Sequence, residues 1–165
     1  VERDAIVDGS AIEAGDVLLG LPSTGLHTNG YTLARKVLFE RFVAADTPDA
    51  LGGESIADAL LAVHKSYLDA IQALLSENLA HGFSHVTGGG LVGNTNRILP
   101  EAWMRPALFR LIQEVGEVPE EDMRRTFNLG VGLVAVVPPA SVGRALTVLG
   151  ALGQPAFRIG SVVAA

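Results

Sequence analysis

The stretch Leu133-Val134-Ala135-Val136-Val137 most narrows what this chain can become. It is apolar throughout and rich in valine. β-branched side chains pack well on a pleated surface, and a run without polar alternation keeps no face for water, so a central buried strand is predicted here. Pro138 and Pro139 remove backbone donors and end it.

Lesser signals place the other elements around that strand. Ala5-Ile6-Val7 before Asp8-Gly9-Ser10 reads as the end of a strand, and Gly15-Asp16 opens a second that runs through Leu21. Gly82 to Val86 alternates as a short strand, and Phe157 to Val163 as the last. Helical spacing runs from about Tyr31 to Phe42, from Leu91 to Leu99, from Pro106 to Val115, from Pro119 to Arg125 and from Ser141 to Leu152. Between Ser55, a natural N-cap, and Glu77 the pattern fits either one helix or two joined near Val63-His64. The order β, β, α, α, β, α, α, β, α, β predicts a sheet covered by helices, hence a layered α/β or α+β domain. At 165 residues the chain suits a single core.

Between the second strand and the first helix lies Ser23-Thr24-Gly25-Leu26-His27-Thr28-Asn29-Gly30-Tyr31. A strand, a polar glycine-containing loop and a helix set unpaired helix N–H groups beside loop side chains, an arrangement suited to anions. His27 has neighbours able to orient it as a general base. An ordinary capped turn would use the same residue types.

A second strand-to-helix loop, Thr87-Gly88-Gly89-Gly90, carries three successive glycines. N–H groups curling into a nest there would hold phosphate or another oxyanion, although a tight turn for close packing needs glycine too. Without a following Lys and Ser or Thr it is not a Walker A loop. Asn94 and Arg97, one helical turn apart, are placed to point back toward the same ligand.

The remaining histidines are read more plainly. His81 and His85 are four apart, but Gly82 and the alternation argue against a helical zinc pair, and His64 on an apolar helix reads as structural or superficial. Asp16, Glu101, Glu114, Glu120, Glu121 and Asp122 sit in turns or helix starts, so no paired catalytic acids and no metal site are expected.

Composition excludes several classes. A formal net charge of −6 does not suit nucleic acid or an anionic membrane surface. The absence of Cys removes disulfides, thiolate nucleophiles and Cys-based metal sites, and fits a reducing compartment. No apolar run reaches membrane-spanning length, so the chain reads as soluble and untargeted. It starts at Val1 without an initiator Met, from which a processed, truncated or excised segment is expected.

Several motifs, taken together, carry a resemblance. Gly15-Asp16 to Leu19, the Ser23 to Tyr31 loop, His85-Val86-Thr87-Gly88-Gly89-Gly90, Asn94 with Arg97-Ile98-Leu99-Pro100, Arg125-Thr126-Phe127-Asn128-Leu129-Gly130-Val131-Gly132 and Ile159-Gly160-Ser161-Val162 occur in the order and spacing of one domain. Over nearly its whole length the chain resembles the C-terminal domain of the phosphoribosylformylglycinamidine cyclo-ligases, also called aminoimidazole ribonucleotide (AIR) synthetases. There are departures: Asn96 and Val63 stand where proline is common, and Met104-Arg105 replaces a more frequent aromatic.

The resemblance implies an α+β fold with a three-layer α/β/α arrangement, a mixed sheet covered by helices, spanning residues 1–165. It implies a separate N-terminal ATP-binding domain, not part of this chain, that carries the acidic ATP and Mg²⁺ segments. It implies a cytoplasmic enzyme, homodimeric at full length, that closes the imidazole ring of aminoimidazole ribonucleotide from formylglycinamidine ribonucleotide with ATP, the isolated domain being inactive. His27 and Asn29 then form the catalytic polar pair facing the cleft, supported by Ser23, Thr24, Gly25 and Thr28. Thr87, Gly88, Gly89 and Gly90 wrap a phosphate or substrate edge with Asn94 and Arg97, and Asn128 and Gly130 line the same mouth. Related superfamily enzymes, namely formylglycinamidine ribonucleotide synthetases, selenide-activating kinases and thiamine phosphate kinases, and a non-catalytic binding module of the same fold share parts of this pattern.

Overall fold

The computed structural model describes residues 6–91 and 103–164. Strands β1 (Val17–Pro22), β2 (Gly82–His85), β3 (Val131–Val137) and β4 (Phe157–Ser161) form one sheet of order β2-β3-β1-β4, with antiparallel pairings throughout. Leu21 lies opposite Leu133, and His85 lies opposite Leu133 on the other side. The ends of β1 and β2 and the start of β3 therefore share one end of the sheet. The polar loops emerge there.

The valine-rich run is buried along all of β3, as its composition predicts. Its side chains alternate between two cores. Leu133, Ala135 and Val137 join Val17, Leu19 and Leu21 against α3 (Leu68–Ser76) and α6 (Val142–Ala151). Val134 and Val136 join Leu18 and Ile159 on the opposite face. There they meet α1 (Tyr31–Leu38), α2 (Ile56–Leu61), α4 (Ala107–Val115) and α5 (Glu120–Thr126). Helices thus cover both faces of the sheet, giving the three layers and the α+β class expected. No helix among the described residues is long and apolar enough to cross a membrane.

Three local readings need amendment. Ile6 and Val7, expected to end a first strand, lie in no strand and are exposed. Helix α1 stops at Leu38 rather than Phe42, where the N–H groups of Arg41 and Phe42 both turn back onto the Leu38 carbonyl. The helix expected from Leu91 to Leu99 lies outside the described residues beyond Leu91, and with it Asn94, Asn96 and Arg97.

The apolar pattern from Ser55 to Glu77 resolves into two helices. The Ser55 hydroxyl accepts the Asp58 N–H at 3.0 Å, the N-cap its residue type predicts. At the other end of α2 the Tyr31 hydroxyl donates to the Leu60 carbonyl and the Thr24 hydroxyl to the Val63 carbonyl, each at 2.6 Å. Carbonyls at a helix C-terminus need such outside partners. These bonds tie the α2–α3 link, which carries His64, to the loop that carries His27.

Candidate functional site

The site grows from the loop between β1 and α1. His27 holds a left-handed backbone conformation (φ 58°) and is only 4% exposed. Its Nε2 accepts the Thr24 N–H at 3.3 Å, so the neutral ring carries its proton on Nδ1. That Nδ1 is shut off from solvent and has no hydrogen-bond partner among the described residues. Buried polar atoms without partners are rare, and this one sits in the loop that the sequence singled out.

Around His27 the fold gathers an aromatic cluster. The His64 ring stacks on it with centroids 3.9 Å apart and planes 16° apart. His85, at the end of β2, lies 5.3 Å from His64 and 6.5 Å from His27. Tyr67 lies 6.1 Å from His27 and donates its hydroxyl to the Pro22 carbonyl at 2.9 Å. Gly132 on β3 makes room for this group, because a Cβ there would overlap the Tyr67 hydroxyl and stand 2.5 Å from His27 Cε1. Gly132→Ala should therefore lower unfolding stability by about 1–3 kcal/mol, the usual range for overpacking. Urea titration checks this, and an unchanged midpoint would contradict the close approach.

The electrostatics follow from crowding. Burial pushes the His27 imidazole down to about 4, and nearby His64, His85 and Lys65 add to the effect. Burial, then His64, lowers His85 as well, while burial lowers Lys65 and raises Tyr67. At neutral pH His27 is an uncharged ring offering an N–H. A group with so low a pKa is mostly neutral at pH 7 and can offer its N–H as a hydrogen-bond donor.

The second loop reaches the same place. The Val86 N–H bonds the Gly132 carbonyl at 2.9 Å, extending the sheet ladder, and the Gly90 N–H closes a turn on the Thr87 carbonyl at 3.1 Å. Gly89 and Gly90 take φ of 98° and 60°. A Cβ on Gly88 would stand 3.6 Å from Asn29 Oδ1, so Asn29 and the triple-glycine loop are neighbours. Thr28 is exposed, and its hydroxyl accepts a long 3.5 Å contact from Asn29 Nδ2. Gly90 is constrained by packing as well, since a Cβ there would overlap the Arg124 carbonyl.

Two expected mouth residues have a structural task. Asn128 is 4% exposed, and its side chain is a strut. Its Oδ1 accepts from the Ser23 hydroxyl at 2.9 Å and the Gly130 N–H at 2.8 Å, and its Nδ2 donates to the Gly25 carbonyl at 2.9 Å. With both oxygen lone pairs and one N–H engaged internally, it fixes two loops. Gly130 (φ 102°) packs so that a Cβ would stand 2.6 Å from Pro106 Cδ, so the turn itself requires glycine there.

Sequence reasoning missed His64, Tyr67 and Lys65 as parts of this cluster. The pattern left one helix or two open there, whereas the link that delivers them is tied by the Thr24 and Tyr31 hydroxyls to carbonyls at the end of α2. His81 is elsewhere: its Nδ1 lies 2.8 Å from the buried Asp16 carboxylate, so it forms no pair with His85.

Comparison with known proteins places this geometry. The sequence model of a family described as "AIR synthase related protein, C-terminal domain" matches residues 13–165. A phosphoribosylformylglycinamidine cyclo-ligase of Anaeromyxobacter dehalogenans (strain 2CP-1) is 45% identical over 173 aligned positions, which cover 99% of this chain and 50% of the relative. One of Bifidobacterium animalis subsp. lactis is 41% identical, covering 99% of this chain and 51% of the relative. The chain spans about half the length of the curated relatives it matches. Among solved structures, E. coli HypE, a hydrogenase maturation protein, aligns with a TM-score of 0.57 at 21% identity, over 95% of this chain and 46% of that one. T. maritima PurL complexed with FGAR aligns at 0.50 and 16% identity, over 99% of this chain and 26% of that one. At these identities the two structures establish a shared fold.

Proposed function

The chain belongs to the AIR synthase related C-terminal domain family, and from that premise we propose that it is the C-terminal half of a phosphoribosylformylglycinamidine cyclo-ligase. In the reaction proposed, formylglycinamidine ribonucleotide and ATP give aminoimidazole ribonucleotide, ADP and phosphate. An amidine nitrogen attacks the amide carbon, and the former amide oxygen leaves with the phosphoryl group as the ring closes. The observation that carries the reading is a neutral, unpartnered imidazole N–H at the sheet end where the two glycine-containing loops meet, in a chain 45% identical to a cyclo-ligase.

In this reading His27 holds an oxygen of the reacting substrate by hydrogen bonding, and the Thr24 N–H keeps its tautomer. Asn29, Thr28 and the Thr87 to Gly90 loop contact the substrate's polar edge, with Ser23 and Gly25 held in place by Asn128. Asn94 and Arg97 belong to the same proposal.

ATP, when bound, supplies the phosphoryl group. The residues described here do not fit Mg²⁺, which prefers octahedral oxygen ligands. The one group of three or more potential ligands among the described residues is His27, His64 and His85, and it contains no oxygen. We therefore assign the nucleotide and its metal to an N-terminal ATP-binding half, as the length of the relatives supports. The dimer expected at full length, and a cytoplasmic setting, go with that assignment.

The test is an assay for aminoimidazole ribonucleotide from formylglycinamidine ribonucleotide and ATP. The 165-residue chain alone should give no product, and the same chain preceded by a cyclo-ligase N-terminal half should turn over. No product from the two-half protein, under conditions where the A. dehalogenans relative works, would overturn the assignment in favour of a superfamily relative or a binding module.

A further inference from the structure

The link between α2 and α3 is fastened to the β1–α1 loop on both sides of Lys65. The Thr24 hydroxyl donates to the Val63 carbonyl at 2.6 Å, and the Tyr67 hydroxyl donates to the Pro22 carbonyl, at the end of β1, at 2.9 Å. With the chain held on both sides, Lys65 is presented beside that loop. It is half-buried, and its Nζ stands 5.7 Å from the centre of the Tyr67 ring.

What this ammonium lacks is a counter-charge. Among the described residues the acid–base pairs lie elsewhere, and Lys65 belongs to none of them. The rings around Tyr67 are imidazoles, His27 at 6.1 Å and His85 at 6.3 Å. Burial lowers the Lys65 pKa, and the Lys65 charge in turn helps to lower that of His27, so the two groups are within electrostatic reach. A chain of net charge −6 thus gathers a lysine and three histidines at one end of its sheet. A cation partly withdrawn from water without a partner is costly, and a bound anion offsets that cost.

We propose that Lys65 is an anion anchor of this site, its ammonium holding an oxygen of a phosphate monoester that also meets the Thr87 to Gly90 turn. That the phosphate belongs to the cyclo-ligase reaction rests on the reading above; the anchor itself does not.

Two features select phosphate over carboxylate. Lysine is a compact point charge, which serves a tetrahedral phosphate, whereas the planar fork of arginine matches a carboxylate. The second feature is the neighbouring backbone. His85, whose ring flanks Tyr67 as Lys65 does, stands two residues before Thr87, and Gly89 and Gly90 hold φ of 98° and 60°. Positive φ in successive residues is a conformation in which N–H groups curl around an anion. A phosphate has oxygens enough to meet both the ammonium and that turn.

The test begins with the 165-residue chain. Ribose 5-phosphate is titrated at constant ionic strength while the ring signals of Tyr67 and His64 are followed by NMR, with ribose and acetate as controls. Saturable shifts with a Kd on the order of 1–10 mM are expected from ribose 5-phosphate alone. Lys65→Met should weaken binding roughly 10-fold or more, and Lys65→Arg, which keeps the charge, should restore most of it. The dispersed spectrum reports whether each variant folds. No saturation up to about 50 mM, equal binding of acetate, or unaltered affinity in a folded Lys65→Met overturns the anchor. In the active two-half protein the same variant identifies the phosphate. A KM for formylglycinamidine ribonucleotide raised roughly 10-fold or more, with kcat nearly unchanged, assigns the anchor to the 5′-phosphate of that ribonucleotide. A reduced kcat with that KM unchanged assigns it to the phosphoryl group that ATP supplies, and kinetics equal to the parent's overturn it. Failure of the two-half protein to make product sinks the reaction assignment, while the titration still decides on the anchor.

Discussion

In a two-half protein that makes aminoimidazole ribonucleotide, His27→Ala is expected to lower kcat by at least ~100-fold. The magnitude is that of removing one preorganised hydrogen-bond donor aimed at developing charge in a water-poor site. Here the donor is Nδ1–H, its tautomer set by Thr24 and its position by Gly132 and His64. His27→Asn is the informative companion. Its carboxamide offers an N–H near the Nδ1 position, and Asn tolerates the left-handed φ of 58° better than most residues, so it should retain more activity than alanine. The pH dependence separates donor from base. With its pKa near 4, His27 stays neutral from about pH 6 to about pH 8 and adds no limb to the rate profile across that span. Near-normal turnover in His27→Ala, or a limb near pH 6.5 that vanishes with it, would refute this role.

The same shift has a sign for stability. The folded state binds a proton on His27 less readily than the unfolded chain does, so the contribution is complete above about pH 6.5. It declines as pH falls toward about 4, by about 3 kcal/mol in all. Proton uptake on unfolding in that window, smaller in His27→Asn because only the His85 share is left, is its signature.

How much of this was legible depends on whether the cause is local. The Leu133 to Val137 strand, the Ser55 cap and the Ser23 to Gly30 loop follow from the chemistry of a few adjacent residues, and the structure has them where the sequence puts them. The pattern left open whether one helix or two joined near Val63-His64 run from Ser55 to Glu77, because the break after Leu61 is held by hydroxyls of Thr24 and Tyr31, some 30 to 40 residues away in sequence. His64 consequently read as one more position on a helix. Gly132 is similar: the sequence shows a glycine inside a strand pattern, but only the fold shows that Tyr67 and His27 occupy the space its side chain would need. Periodicity reports burial, whereas this site is made by contacts among four separate segments.

Asn128, read from its motif as a residue of the mouth, is in the fold a strut between two loops. The strut predicts that Asn128→Ala destabilises the chain by about 2–4 kcal/mol. Three hydrogen bonds are lost at about 1 kcal/mol each, and the buried Gly130 N–H is left without its acceptor. Leu129 and Gly130 hold φ of 51° and 102°, a turn that the Asn128 oxygen stabilises directly. Ser23→Ala removes only one of the three bonds and should cost about 1 kcal/mol. Chemical unfolding of the two variants should therefore rank Asn128→Ala well below Ser23→Ala, which lies slightly below the parent. A ligand contact would behave differently, raising KM while leaving the unfolding midpoint in place. In the active protein Asn128→Ala should instead lose kcat and stability together, because the strut joins the Gly25 carbonyl, two residues before His27, to the turn that opens β3. Displacing the loop displaces the imidazole, and a misplacement of about 1 Å is enough to cost ~100-fold in rate.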